Sequence, residues 1–198
     1  MVDRRDHLTP GYSIDQMADE LYLALHQLKI SGADIVGASE GGMIAQKLII
    51  DHPDIVHKLV LAVTFSAPNK TSALTIKHWI NLAQKRRLKE LVWDSLQRSY
   101  SAQYLQRHRY MLKLLTTFTR VKEVDRFIIL AQAILNFNVK DQLTRVKCPT
   151  LVIGAQQDQV LSVEGAKTTA KLLHAPLYVY PQYGHAVYLE AKDFMLSW

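Results

Sequence analysis

A single cysteine, Cys148, leaves no partner for an internal disulfide. Next to Pro149, at the head of an apolar run, its thiol reads as a small buried hydrophobe. No apolar stretch approaches the ~20 residues that span a bilayer, and Met1-Val2-Asp3-Arg4-Arg5-Asp6 is too polar for a signal peptide. The expected location is the cytoplasm, with no membrane partner. Metal-ligand spacing, internal repeats and low-complexity linkers are also missing, so no metal and no cofactor are expected. A chain of 198 residues that is 48% hydrophobic and 21% charged can still bury a substantial core, which excludes a disordered chain.

Acidic residues are scarce in one stretch. From Ser66 to Lys147 there are 5 of them against 16 basic residues, leaving 8 of the 24 basic and 13 of the 18 acidic residues elsewhere. The net charge of +6 is therefore a local property. No nucleic-acid-reading motif accompanies it, and nucleic acid is not an expected partner. Lys85-Arg86-Arg87 and Arg107-His108-Arg109 read as solvated helix faces, with an anionic substrate or acidic surface as the sharper alternative.

The most informative stretch is Gly37-Ala38-Ser39-Glu40-Gly41-Gly42. The β-branched run Ala33-Asp34-Ile35-Val36 before it predicts a buried strand, and Met43 to Ile50 after it predicts a helix. A G-x-S-x-G pattern on a strand-turn-helix is a nucleophile elbow, with the glycines permitting the turn and Ser39 as candidate nucleophile. Turn glycines with Ser39 as a helix cap would give the same letters. Upstream, Ser13-Ile14-Asp15-Gln16 is a capping box opening a helix whose apolar residues run from Ile14 to Leu28. Downstream, Lys58 to Phe65 predicts a second strand, and a strand-helix-strand order with a crossover of about twenty residues specifies a parallel pair with a right-handed connection.

From Ala67 to Phe137 the pattern is helical, with segments expected at Ser72 to Gln84, Leu88 to Ser99, Ala102 to Thr117 and Lys122 to Asn136. Strands resume at Pro149 to Gly154 and Leu177 to Tyr180, separated by a helix from Ser162 to Leu173, and Asp193 to Trp198 reads as the start of another helix. The fold class is α/β, with a mostly parallel sheet flanked by helices and an inserted helical cap. Residues 1–66 and 138–198 would form the core and 67–137 the cap.

A serine hydroxyl needs a base to take its proton, and that base needs a carboxylate to orient it. Asp158 lies just past one strand and His185 just past the next, where α/β sheets place functional loops. Asp158 could also serve as a turn aspartate and His185 as a loop histidine. His7, His26, His52, His57, His78, His108 and His174 read as surface or packing residues.

These pieces together resemble the α/β-hydrolase superfamily in its helical-cap branch. The residues that carry the likeness are Gly37 to Gly42, Cys148-Pro149-Thr150-Leu151-Val152-Ile153-Gly154 with Asp158, and Tyr183-Gly184-His185. Asp3-Arg4-Arg5 through Tyr12-Ser13 also resembles the segment after the family's fourth strand. The resemblance implies Ser39 as nucleophile, His185 as base, Asp158 as orienting acid and the Glu40 backbone N–H as one oxyanion donor. The implied reaction is hydrolysis of a small ester or related acyl substrate; a non-catalytic ligand-binding or assembly protein derived from a hydrolase is the alternative.

Against the family pattern, the strands before the elbow strand, the loop giving a second oxyanion donor and the end of the last helix are lacking. The elbow strand would then keep an unpaired edge, so a homo-oligomer or a partner supplying that edge is expected. Glu40 carries two readings: a charge opposing an oxyanion, or a solvated carboxylate at a helix N-terminus.

Overall fold

The sheet is built from the runs read as strands and is flanked by the periodic runs read as helices, in a computed structural model that describes residues 9–118 and 123–194. Tyr12 N–H donates to Thr9 O (3.1 Å) in the opening turn. Ser13 then caps α1 (Ile14–Gln27) in a reciprocal box with Gln16. β1 (Ala33–Ala38) leads into α2 (Glu40–Asp51), Pro53–Ile55 makes one 3-10 turn, and β2 (Val56–Ala62) follows. The connection from β2 to the next strand is α3 (Lys70–Gln84), α4 (Leu88–Ser99), α5 (Ala102–Arg107), α6 (Arg109–Phe118) and α7 (Val124–Asn136), with a 3-10 stretch at Lys140–Arg145. β3 (Thr150–Ala155), α8 (Val163–Leu173), β4 (Leu177–Tyr180) and the short α9 (Val187–Glu190) complete the order.

The four strands lie side by side as β1-β2-β3-β4, all parallel. Leu61 sits between Gly37 and Val152, and Ala62 between Ala38 and Ile153. Because strand side chains alternate, Leu59, Leu61 and Val152 face α1, α2 and α8 through Ala18, Ala45, Leu48, Ile49 and Ala166. Ala62, Ile153, Ala155 and Tyr180 face Val187, Ala191 and Phe194 on the other side. Leu48, Leu61 and Val152 are wholly buried, each contributing about 1.5–3 kcal/mol of apolar transfer free energy. A third cluster joins Met43 and Phe65 to Ile76 of α3 and Ala131 and Ala133 of α7, so the helical block shares apolar packing with the sheet layer.

The structure corrects several boundaries. β2 ends at Ala62, three residues before the expected Phe65, because Val63 turns out of the strand with φ 42° while still donating to Ile153 O (2.8 Å). The helix expected from Ala102 to Thr117 is two helices: His108 leaves helical geometry with φ −108° and ψ 14° and is the C-cap of α5, and α6 opens at Arg109. No proline or glycine marks that break. Helix α9 has no counterpart among the expected elements, and Phe194 N–H closes a turn onto Ala191 O (3.2 Å). The rest of the helix expected from Asp193, and the opening segment Val2 to His7, lie outside the described residues.

β1 is the last strand on its side. Among the described residues none pairs with its outer edge, and its Val36 is 44% exposed. Among those residues, too, no helix is long and apolar enough to cross a membrane.

Candidate active site

Ser39 is the single residue between β1 and α2, with φ 54° and ψ −123°. An L-residue held there costs on the order of 1–3 kcal/mol and persists only where the surroundings over-determine it. Here they do. Ser39 N–H donates to Ala62 O (2.9 Å), and Ser39 O accepts from Gly42 N–H (3.0 Å) and from the Thr64 hydroxyl (2.8 Å). The strained dihedral thus falls on the serine itself, whereas the sequence reading gave the turn's demand to the glycines. What Gly37 supplies is space: a Cβ there would lie 2.6 Å from Gly41 O and 2.7 Å from Gly42 Cα.

The loops after β3 and β4 bring the other two candidates to this elbow. His185 Nε2 lies 2.8 Å from Ser39 Oγ, and His185 Nδ1 lies 2.9 Å from Asp158 Oδ2. Asp158 Oδ1 accepts the backbone N–H groups of Val160 (2.8 Å) and Leu161 (2.9 Å), so one oxygen holds the loop and the other the imidazole. A carboxylate oxygen only accepts, which makes Nδ1 the donor and leaves Nε2 of the neutral ring to accept the Ser39 hydroxyl proton. Both Asp158 and His185 are buried, at 7% and 6% exposure, where the low local dielectric strengthens such bonds.

Glu40 opens α2, so its N–H belongs to the first turn, where the helix itself provides no acceptor. Its side chain is not the solvated carboxylate that one sequence reading expected. Oε1 is buried with no hydrogen-bond partner among the described residues, and desolvation by burial pushes the carboxyl above its ordinary range. Nearby Tyr12 is pushed up to about 12 by burial, by its hydrogen bond to Glu20 (2.7 Å) and by the negative charges of Glu20 and Glu40.

A raised carboxyl pKa makes ionised Glu40 a destabilising group. Its cost is absent below the unfolded pKa, grows as pH rises past that value, and is complete above the folded one. Glu40→Gln should therefore raise Tm at pH 7 to 8, with the gain shrinking to nothing near pH 4. Paired thermal melts across that range test it; a gain that does not vary with pH would contradict the burial argument.

Sequence reasoning missed Thr64, whose hydroxyl pins the elbow carbonyl, and Gln46, which donates to both Gly42 O and Phe65 O (3.0 Å each). It missed a junction as well. Ala186 N–H donates to Ser99 O (2.7 Å), tying the His185 loop to the α4–α5 connection. Among the other histidines, His52 stacks on Tyr22 at 3.6 Å and His174 caps α8. Lys85, Arg86, Arg87, Arg107 and Arg109 are exposed, with Arg86 paired to Asp125 and Arg87 to Glu90. Among the described residues no three His, Cys, Asp or Glu side chains are grouped to hold a metal ion.

Residues 13–192 match the family model described as serine aminopeptidase, S33. A 3-oxoadipate enol-lactonase of Acinetobacter baylyi is 24% identical over 169 residues, which are 85% of this chain and 62% of the lactonase, so the chain spans under two thirds of that relative. Among solved structures, MGS-M2, an alpha/beta hydrolase enzyme from a Medee basin deep-sea metagenome library, superposes with TM-score 0.88 at 24% identity, covering 95% of this chain and 70% of its own. The enol-lactonase from Burkholderia xenovorans LB400 gives 0.83 at 19% identity, covering 96% and 73%. A parallel sheet, a strained serine between strand and helix, and a family match over nearly the whole chain agree: the chain belongs to the serine aminopeptidase S33 family of α/β-hydrolases.

Proposed function

We propose that this protein is a serine hydrolase acting on small esters or related acyl substrates. The observation that carries the proposal is the unbroken line Ser39 Oγ, His185 Nε2, His185 Nδ1 and Asp158 Oδ2, with links of 2.8 and 2.9 Å. His185 takes the Ser39 proton as Oγ attacks the acyl carbon, and Asp158 stabilises the resulting imidazolium. The Glu40 N–H steadies the developing oxyanion. His185 then returns the proton to the leaving group, and water repeats the sequence on the acyl-serine. One oxyanion donor is worth about 10²–10³ in kcat, so the rate depends strongly on what stands opposite Glu40.

Residues 67–137 would cap this site, a reading supported by the tie between Ser99 and Ala186. The name of the Acinetobacter relative puts lactones, which are cyclic esters, first among substrates to try. A fluorophosphonate probe tests the whole reading: it should label Ser39, and a folded protein that resists labelling would sink it.

The alternative, a ligand-binding or assembly protein, is favoured by one observation: among the described residues none pairs with the outer edge of β1. We propose that this edge accepts a second copy or a partner strand, because its N–H and C=O groups are ready to pair and Val36 beside it is exposed. Light scattering on purified protein should show mass rising with concentration. A strictly monomeric, cooperative protein at micromolar concentration would rule out this reading of the edge.

A further inference from the structure

The connection between α4 and α5 is fastened to the segment that carries His185. Ser101, 3% exposed, is the N-cap of α5, its hydroxyl accepting from Tyr104 N–H (3.2 Å). The same residue is held from the far end of the chain, where Glu190, closing α9, accepts the Ser101 N–H on Oε1 (2.9 Å) and the Ser101 hydroxyl on Oε2 (2.5 Å). A carboxylate taking both donors forms charge-assisted bonds about twice as strong as neutral ones. Arg107 and Lys192 line the same cleft of about 420 Å³ as Glu190, together with Asp193.

Two further contacts complete the clamp. Ala186 N–H donates to Ser99 O (2.7 Å), and Gly184 lies so close that a Cβ on it would stand 2.6 Å from Ser99 O and 3.0 Å from the Tyr100 carbonyl carbon. Residues 184 and 186, on either side of His185, thus rest on the backbone of 99–101, and Glu190 locks that backbone in place. One turn of helix connects lock and base, since Glu190 N–H donates to Ala186 O (3.1 Å).

We propose that Glu190 is a positioning residue: by fixing Ser101 at the head of α5 it holds the His185 imidazole in line with both Ser39 and Asp158, and so couples the helical block to the base. The proposal rests on the hydrolase reading for its effect on rate but not for its effect on structure. Glu190 touches no reacting atom; its influence runs through backbone.

Glu190→Ala leaves both Ser101 donors without their acceptor. Glu190→Gln keeps an oxygen for the Ser101 N–H and an amide that the Ser101 hydroxyl, able to rotate, can accept from. In Glu190→Ala, Ser39 labelling by the fluorophosphonate and kcat on p-nitrophenyl acetate should fall by about 10², the penalty for misplacing a catalytic group by an ångström, with KM little changed. Glu190→Gln should recover most of that loss, and Ser101→Ala should add little to Glu190→Ala.

Two measurements keep the test independent of turnover. The downfield proton resonance of the His185 Nδ1–H bond should be sharp in the parent and in Glu190→Gln, but broadened or absent in Glu190→Ala. Amide exchange in Glu190→Ala should quicken in 99–105 and in 184–190 together. If the parent never labels at Ser39, the hydrolase reading fails while the resonance and exchange still decide the clamp. An unchanged His185 resonance with parental exchange in Glu190→Ala overturns it, as does a Glu190→Gln variant no better than Glu190→Ala.

Discussion

Ser39→Ala should abolish hydrolysis of short p-nitrophenyl esters, a loss of roughly 10³–10⁶ in kcat, and His185→Ala added to it should cost almost nothing more. The non-additivity is the diagnostic part. Ser39 Oγ is 2.8 Å from Nε2, so removing either atom disables the same proton transfer. Asp158→Asn makes a sharper case. Asp158 Oδ1 accepts two backbone N–H groups, and an asparagine amide oxygen would keep that role, turning its NH₂ toward Nδ1. Nδ1 would then have to accept, the ring proton would move to Nε2, and the base would face Ser39 with a donor. The expected loss is about 10⁴ with stability nearly unchanged. Undiminished hydrolysis by Ser39→Ala, or losses that add across the three positions, would break the assignment.

Much of this site was legible because its signals are local. A β-branched run before Gly37 and an apolar helix after Gly42 put Ser39 at a strand end, and the same logic put Asp158 after β3 and His185 after β4. Parallel strands in one sheet send their carboxyl ends to one edge, so three separate local readings converge without any tertiary information. Local periodicity also sufficed for α4 and β4, found over the expected Leu88–Ser99 and Leu177–Tyr180. The signal runs out where a residue's partner is remote. Glu190 and Ser101 are 89 positions apart and carry no mark of each other. Thr64 looks like the tail of a strand until Val63 turns away, and Glu40 looks like a solvated helix-end charge until its oxygen is found buried. The break at His108 was equally hidden, because no proline or glycine stands there and the apolar periodicity runs on past it.

Gly37→Ala should lower both stability and activity, while Gly41→Ala, four residues on in the same motif, should be neutral or mildly stabilising. The motif's letters treat the two glycines alike; their surroundings do not. A Cβ on Gly37 would press on Gly41 O at 2.6 Å, Gly42 Cα at 2.7 Å and Gly41 C at 2.9 Å, all main-chain atoms in the first turn of α2. Backbone cannot swing aside as a flexible side chain can, so α2 must shift away from β1. Ser39 moves with it, and both hydrogen bonds to its carbonyl are compromised. Overpacking of this kind costs about 1–3 kcal/mol. For a chain of this length each kcal/mol lowers Tm by about 2–4 °C, giving a drop of roughly 2–12 °C. The same shift moves Oγ off the line to His185 Nε2, and an ångström of misplacement is worth about 10² in rate. Around Gly41 nothing lies within 4 Å of the added carbon, and alanine in a helix is favoured over glycine by about 0.5–1 kcal/mol. Thermal melts and ester hydrolysis on the two variants side by side make the comparison. Equal losses at both positions would mean that the pattern's glycines act through backbone conformation and not through the space beneath Gly37.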